Sequence, residues 1–578
     1  MSTHMNKLPS QEKPWLKYYP DNGCNIKPPH LSVYGFMREI NQDNLSSSAL
    51  NYYGTKVSYR DMLANIDAVA NSFAALGIKK GDLVCFVTVA VPETIYAIYA
   101  LNKIGATCNM IDPRMDVKSI RKMIKNSGST TTLVIDIAWP KMDKILDDIN
   151  QKHIIVQSPA RSLPFVKKMF MTLTSKAKVP FNDSIVNWDT FLSYGKNAVA
   201  TEVPYEGDAV VAITFTGGTT GFPKGVMLTN DSMNAVAINF QYAGLDTHPG
   251  DSFLGIIPCF TSYGMVCGLH MPLCMKTQLI PIPRFIPTEF GKLVKQFRPN
   301  HMISTPAFYE LMIDSKEMKN FDLSFLTTMG SGGDTMNEGL EKKLDDFMKS
   351  HNIRYPLAQG YGMSEVSAAA SFCVNDIFKR KSVGIPSVTT TIAIFDPETG
   401  KELDYNQHGE VCITGPTVMK GYYRSPEETA IVMREHEDGQ IWVHSGDIGY
   451  MDEDGFVYII GRIKRMITRF DGHKVFPVTI ESMVDERDEV RNCCVIGVND
   501  REHGQGQYPL VIVALAEGVD EAAALQSIYD ECQEKLEERG KPVAVLSGPS
   551  IPLTGSGKND YRQLEKKYVD FDYTQWKL

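Results

Sequence analysis

The chain has no CxxC pair, and its eleven cysteines, an odd number, fall at irregular spacing with only Cys493 and Cys494 adjacent. Neither a disulfide framework nor a zinc site is suggested, and a reducing, cytoplasmic setting is expected. It also lacks an excess of positive charge. With a net charge of −9 the surface is poorly suited to neutralising nucleic-acid phosphates, so no nucleic-acid partner is expected, although local basic patches remain open. The first residues, MSTHMNKLPSQEKPW, contain no apolar h-region, and no stretch reaches 18 uninterrupted apolar residues, so neither secretion nor membrane spanning is expected. Internal repeats and low-complexity tracts are missing as well.

What is present is an ordinary globular composition, 43% apolar and 22% charged, over 578 residues, which is too long for one core. Ser58 opens a helical pattern of Met62, Leu63, Ile66, Val69, Phe73 and Leu76 that stops at Gly77. The strand pattern LVCFVTVA (83–90), the helix PETIYAIYALNKIG and the strand TTLVIDI (131–137) follow. This βαβ alternation implies helix-covered, mostly parallel sheets. Residues 161–180, RSLPFVKKMFMTLTSKAKVP, interrupt it with five basic residues and no acid, which reads either as a peripheral membrane-surface contact or as a solvated connecting loop. Beyond residue 380 the texture becomes rich in strands and turns. Residues 493–498, 510–517, 521–539 and 543–547 then spell a small α+β unit, with a boundary near 461–465.

Residues 214–226, TFTGGTTGFPKGV, concentrate glycines, threonines and Lys224 just after the apolar run 209–215. Glycines admit an anion close to the backbone, successive N–H groups and hydroxyls cradle phosphate oxygens, and a lysine adds mobile charge. The stretch is not a Walker A loop, because Pro223 precedes Lys224 and Gly225 follows it. Further on, GSGGD (330–334) is a second glycine-rich edge. QGYGMSE (359–365) sets Tyr361, which could stack on a base, beside Gly362 and the hard oxygens of Ser364 and Glu365, which suit Mg²⁺. Asp447 lies in HSGDIGY, where a carboxylate could accept both ribose hydroxyls, and PLTGSGKNDY mounts Lys558 on a loop able to deliver an ammonium into a site built elsewhere.

Taken in order, TGGTTGFPKG, YGMSE, GEVCITGPTVMKGYY, SGDIGYMDEDG, GRIKR and GSGK resemble the motifs of the adenylate-forming superfamily, in its acyl-CoA synthetase branch of AMP-dependent ligases, from about residue 50 to 570. The resemblance implies a large N-terminal domain (1–462) of parallel sheets plus a small β-barrel, holding the ATP and acyl sites. It also implies a small mobile α+β domain (463–578) carrying the catalytic lysine. In such enzymes ATP and a carboxylate give an acyl adenylate and pyrophosphate, and a thiol then displaces AMP. By the same resemblance, Thr216, Thr219, Thr220 and Lys224, with Gly217, Gly218 and Gly221, hold the β- and γ-phosphates. Glu365 binds Mg²⁺ and Ser364 a phosphate oxygen beside it. Tyr361, Gly362 and the edge of Gly332, Gly333 and Asp334 flank adenine, while Asp447 and Arg462 take the ribose. Lys558 bridges the carboxylate and the α-phosphate, Lys464 is the hinge, and Gly472 with His473 faces the pantetheine tunnel after rotation.

Two departures bear on the substrate. Residues 256–270, IIPCFTSYGMVCGLH, keep Pro258, Phe260 and Gly264 of the acyl-site motif, but Thr261 stands where many relatives have a gating histidine. Between residues 252 and 278 there is no aspartate to pair with an amino acid's ammonium; Met265, Val266, Leu269, Met271, Leu273 and Met275 suit an apolar acyl chain or else pack the core. No insertion separates GRIKR from GHKVFP, which favours CoA as acceptor. A carrier-protein phosphopantetheine is the runner-up, and a nucleotide-binding protein without catalysis is the remaining alternative.

Overall fold

The computed structural model describes residues 8–23, 26–174, 178–216, 223–336, 338–552 and 559–576. Among them two large sheets share one apolar core. In the seven-stranded sheet, Ile185–Asn187, His153–Gln157, Thr131–Ile135, Leu83–Val87, Thr107–Ile111 and Val210–Phe215 run parallel, and Gly225–Thr229 closes the edge antiparallel. Thr131–Ile135 is buried at every position, as expected of a parallel strand covered on both faces. The helix Tyr59–Ala75 begins where the sequence places it, because the Ser58 side chain accepts from the Asp61 N–H.

The nine-stranded sheet is parallel from Ala358–Tyr361 through Thr328–Ser331, His301–Ser304, Ser252–Gly255 and Gln278–Pro281 to Ser48–Tyr52, with short antiparallel strands at both ends. A third, antiparallel sheet of five strands stands where the small barrel is expected; Gly409–Thr414, Ile441–Met451 and Val457–Arg462 are three of its members. After Arg462 a single turn, Ile463–Arg465, leads into the C-terminal unit. There Val490–Asn499, Gln507–Leu515 and Ala544–Ser547 form a sheet with its own core, covered by Pro477–Asp485, Glu521–Lys535 and Tyr561–Tyr568.

Residues 161–180 differ from a plain loop, since Phe165–Thr174 is a helix. Met265, Val266, Leu269, Met271 and Leu273 are buried in the main core and Met275 packs against it. Among the described residues no helix is long and apolar enough to cross a membrane.

Candidate functional site

Side chains from all three N-terminal sheets converge at two polar clusters. In the first, Asp447 is buried and its backbone N–H is fixed by the Ser445 hydroxyl at 3.0 Å. The Tyr361 hydroxyl donates to Asp447 Oδ2 at 2.6 Å, and Arg462 Nε lies 2.7 Å from Oδ1. Tyr361 ends a strand of the nine-stranded sheet, whereas Asp447 and Arg462 are directly opposed in the antiparallel sheet, so this one carboxylate ties two sheets together. Burial, and then the Asp447 charge, push the Tyr361 hydroxyl well above its usual range, so it stays a donor.

Glu410 braces the loop behind Asp447. Its Oε1 accepts the Gly446 N–H at 3.0 Å, and its Oε2 lies 2.8 Å from His444 Nδ1, while the far nitrogen of His444 is 2.9 Å from His436 Nε2. Burial alone would raise the Glu410 carboxyl, but His444 and the Gly446 N–H hold it below the ordinary value. Glu410, Cys412 and His444 bring their ligating atoms within 4.8 Å of one another, a grouping that the cysteine spacing gave no hint of.

In the second cluster, Tyr422 joins two residues of opposite charge. Its hydroxyl donates to Glu365 Oε1 at 2.5 Å, and Lys224 Nζ sits 5.0 Å from the centre of its ring. Lys224 is also ion-paired with Glu428. Tyr422 reaches this place because residues 420–423 run beside the strand Gly225–Thr229: the Met227 N–H donates to Gly421 O and the Tyr423 N–H to Gly225 O. Lys224 O in turn accepts the Thr216 N–H at 3.0 Å, which closes the base of the glycine and threonine loop.

Glu365 is held by a tight turn. Ser364–Val366 is a single 3-10 turn followed by Ser367 at φ 55° and Ala368 at φ 96°, a conformation that disfavours side chains. A Cβ on Gly362 would meet Ala368 O at 1.8 Å, so only glycine closes this turn. Gly333 adopts φ 84° at the neighbouring edge, and a Cβ on Gly332 would lie 3.5 Å from the Tyr263 hydroxyl. Tyr263 of the acyl motif thus lies beside the edge carrying Asp334, whose Oδ1 accepts the Thr335 N–H. Thr261 caps the short helix Ser262–Met265 through the Gly264 N–H at 3.0 Å. The fully buried His270 donates to or accepts from Tyr99 and Asn234, and burial pushes it down to about 3.

The described site residues therefore divide. Thr216, Lys224, Glu365, Tyr361, Asp447 and Arg462 gather in the two clusters, with Ser364 and Gly362 in the turn. Gly332, Gly333 and Asp334 border them. Lys464 is exposed in the turn after Arg462. Gly472 lies in the hairpin between Ile467–Thr468 and Lys474–Val475, where the Gly472 N–H donates to Arg469 O. Gly217, Gly218, Thr219, Thr220, Gly221 and Lys558 fall outside the described residues. Tyr422, Glu428, Glu410 and Tyr263 were not foreseen. The motif GEVCITGPTVMKGYY contained two of these, Glu410 and Tyr422, without marking which of its side chains point inward.

The arrangement suits a nucleotide polyphosphate: a buried carboxylate for paired hydroxyls, a cation beside a glycine loop, and a carboxylate and hydroxyl whose hard oxygens fit Mg²⁺. Residues 37–423 match the model of the AMP-binding enzyme family, and residues 479–558 match that of the AMP-binding enzyme C-terminal domain. Over 564 residues the chain is 28% identical to a long-chain-fatty-acid–CoA ligase of Bacillus subtilis (strain 168), covering 96% of this chain and 98% of that one. It is 27% identical over 516 residues to a probable 4-coumarate–CoA ligase 1 of Dictyostelium discoideum, covering 88% and 89%. Its fold is similar to that of ATP-bound MatB from Rhodopseudomonas palustris, with a TM-score of 0.77 at 22% identity, covering 93% and 99% of the chains. It is also similar to the anthranilate CoA ligase AuaEII in complex with anthranoyl-AMP, with a TM-score of 0.78 at 18% identity, covering 94% and 98%.

Proposed function

The chain belongs to the AMP-binding enzyme family, and from that premise we propose that it is an AMP-forming acid–CoA ligase acting on an apolar, fatty acid. The observation that carries the reading is the meeting of Tyr361, Asp447 and Arg462 on one side and Lys224, Tyr422 and Glu365 on the other. In the first half-reaction a carboxylate oxygen attacks the α-phosphorus of ATP, the bond to the bridging oxygen breaks, and pyrophosphate leaves. In the second, the CoA sulfur attacks the acyl carbon and AMP leaves as a phosphate monoester, taking with it the mixed-anhydride oxygen.

Within this reading Asp447 and Arg462 hold the ribose, and Tyr361 with Gly362, Gly332, Gly333 and Asp334 borders the adenine. Thr216 and Lys224, with residues 217–221, hold the departing phosphates. Ser364 and Glu365 would hold Mg²⁺, which supplies charge neutralisation at the phosphate oxygens. Lys558 bridges the carboxylate and α-phosphate during adenylation only. We place the domain boundary at 462/463, with Lys464 as the hinge and the hairpin of Gly472 serving the thiol step, and we place the protein in the cytoplasm. Support for a fatty acid is the Bacillus relative, a long-chain-fatty-acid–CoA ligase, since the acid-free run 265–275 packs the main core. The 4-coumarate ligases among the relatives favour an aromatic acid as the second reading. A carrier-protein thiol is the alternative acceptor.

Pyrophosphate release measured with short, medium and long fatty acids, 4-coumarate and amino acids, each with and without CoA, separates these readings. Long-chain turnover dependent on CoA is expected. Preference for 4-coumarate overturns the acid assignment, and turnover indifferent to CoA overturns the acceptor. Lys558→Ala is expected to abolish adenylation and spare thioester formation from a pre-made acyl adenylate; equal loss of both would remove its assigned role.

A further inference from the structure

The helix Phe165–Thr174 gathers several exposed large apolar residues in one place. Phe165 is 79% exposed, Val166 and Phe170 are each 70% exposed, and Met169 is 50% exposed; Phe181, just beyond, is also exposed. At 100° per residue, positions 165, 169, 166 and 170 form one contiguous stripe about 140° wide. Lys167 and Lys168 fall about 60° beyond its two edges. The base is anchored: Leu163 packs against a buried apolar cluster that includes Val87, Val134 and Val156 of the seven-stranded sheet, and Lys167 Nζ donates to Tyr53 O at 3.3 Å and lies 5.5 Å from the Tyr53 ring. The stripe beyond that anchor is exposed.

We propose that this helix is a docking surface for an anionic lipid bilayer, into which Phe165, Val166, Met169 and Phe170 insert while Lys167 and Lys168 contact headgroups. Residues 161–180 carry five cations and no acid, in a chain whose net charge is −9, so the segment is the local exception to a surface that anionic lipid repels. Cations on both flanks of an apolar ridge match a plane of uniform negative charge. A second copy paired two-fold through this ridge would instead set the same lysines against each other. The inference does not depend on which acid the enzyme uses.

The test is co-sedimentation of the full chain with vesicles of equimolar phosphatidylcholine and phosphatidylglycerol, against vesicles of phosphatidylcholine alone. The wild type is expected to partition onto the anionic vesicles at low salt. Phe165→Ser with Phe170→Ser should lower that partition by about tenfold or more, because two rings leave the acyl boundary. Lys167→Glu with Lys168→Glu should remove the preference for anionic lipid, each lost lysine contributing about fivefold. Phe165 and Phe170 are exposed, so for the serine variant melting temperature and pyrophosphate release with a water-soluble acid should not change, whereas the glutamate variant also gives up the Lys167 tie to Tyr53. The proposal is overturned if the wild type ignores anionic vesicles, or if the double serine variant sediments as well as the wild type. It is also overturned if sedimentation velocity finds a dimer that the serine variant dissociates while vesicle binding is absent.

Discussion

The two polar clusters are built from similar residues and differ in how their charges are met. In the cluster proposed to hold the ribose, Asp447 is buried and matched by Tyr361 and Arg462, with its own backbone pinned by Ser445 and the loop behind it braced by Glu410. In the cluster proposed to hold the phosphates, Lys224 is about one-third exposed and paired with Glu428, which is about half exposed, while Tyr422 links it to Glu365. The first cluster is preorganised; the second holds its cation with a carboxylate that a phosphate can replace. Under the proposed reaction, a site that keeps the nucleoside through two steps, yet releases pyrophosphate after one, is served by this asymmetry.

Removing the buried carboxylate should do most damage. Asp447→Ala is expected to weaken ATP binding by about 10- to 100-fold, since each charge-assisted bond to a ribose hydroxyl contributes about 1.5–3 kcal/mol, and calorimetry measures it. An unchanged affinity would break the contrast at its stronger end. Tyr422→Phe leaves the ring under Lys224 but unties Glu365, and should slow pyrophosphate release by about tenfold with little change in ATP affinity. Equal loss in both would mean that Tyr422 is part of the binding surface itself. Glu428→Gln should tighten ATP about threefold, the scale of an exposed ion pair, and slow product release; weaker binding would show that Glu428 positions Lys224 rather than competing for it.

The smallest effect lies beyond the turn Ile463–Arg465, where neither cluster reaches. Burial pushes the Asp485 carboxyl up to about 6 from an ordinary 3.8, with Glu481 adding to the shift. The folded state therefore favours the neutral acid: its contribution is fully present below about pH 4 and is lost as pH rises through 6. Asp485→Asn should raise stability by about 1 kcal/mol above pH 6 and leave it unchanged below pH 4, as followed by thermal melting. A gain at both ends of the range would assign the effect to packing.

Features written locally were legible. Ser58 capping its helix, the fully buried strand Thr131–Ile135 and the C-terminal strands are each specified by contiguous residues. The helix Phe165–Thr174 was not, because the residue before it is Pro164 rather than a capping Ser, Thr, Asp or Asn, and its apolar stripe is exposed, where no core selects it. At the site, motifs give residue types while partnerships depend on the fold: Tyr422 meets Glu365 across 57 positions and Lys224 meets Glu428 across 204. Tyr263 was hidden for a different reason, since its motif drew attention to the substituted Thr261 two positions earlier.

Arg462 is both the last residue of its strand, directly opposite Asp447, and the residue that precedes the turn Ile463–Arg465. The rung that grips one end of the ladder is thus the bearing on which the C-terminal unit hangs. Whatever that unit does, it starts from a residue clamped by a buried carboxylate, so the Asp447–Arg462 pair and the reach of the following 116 residues are set at the same peptide.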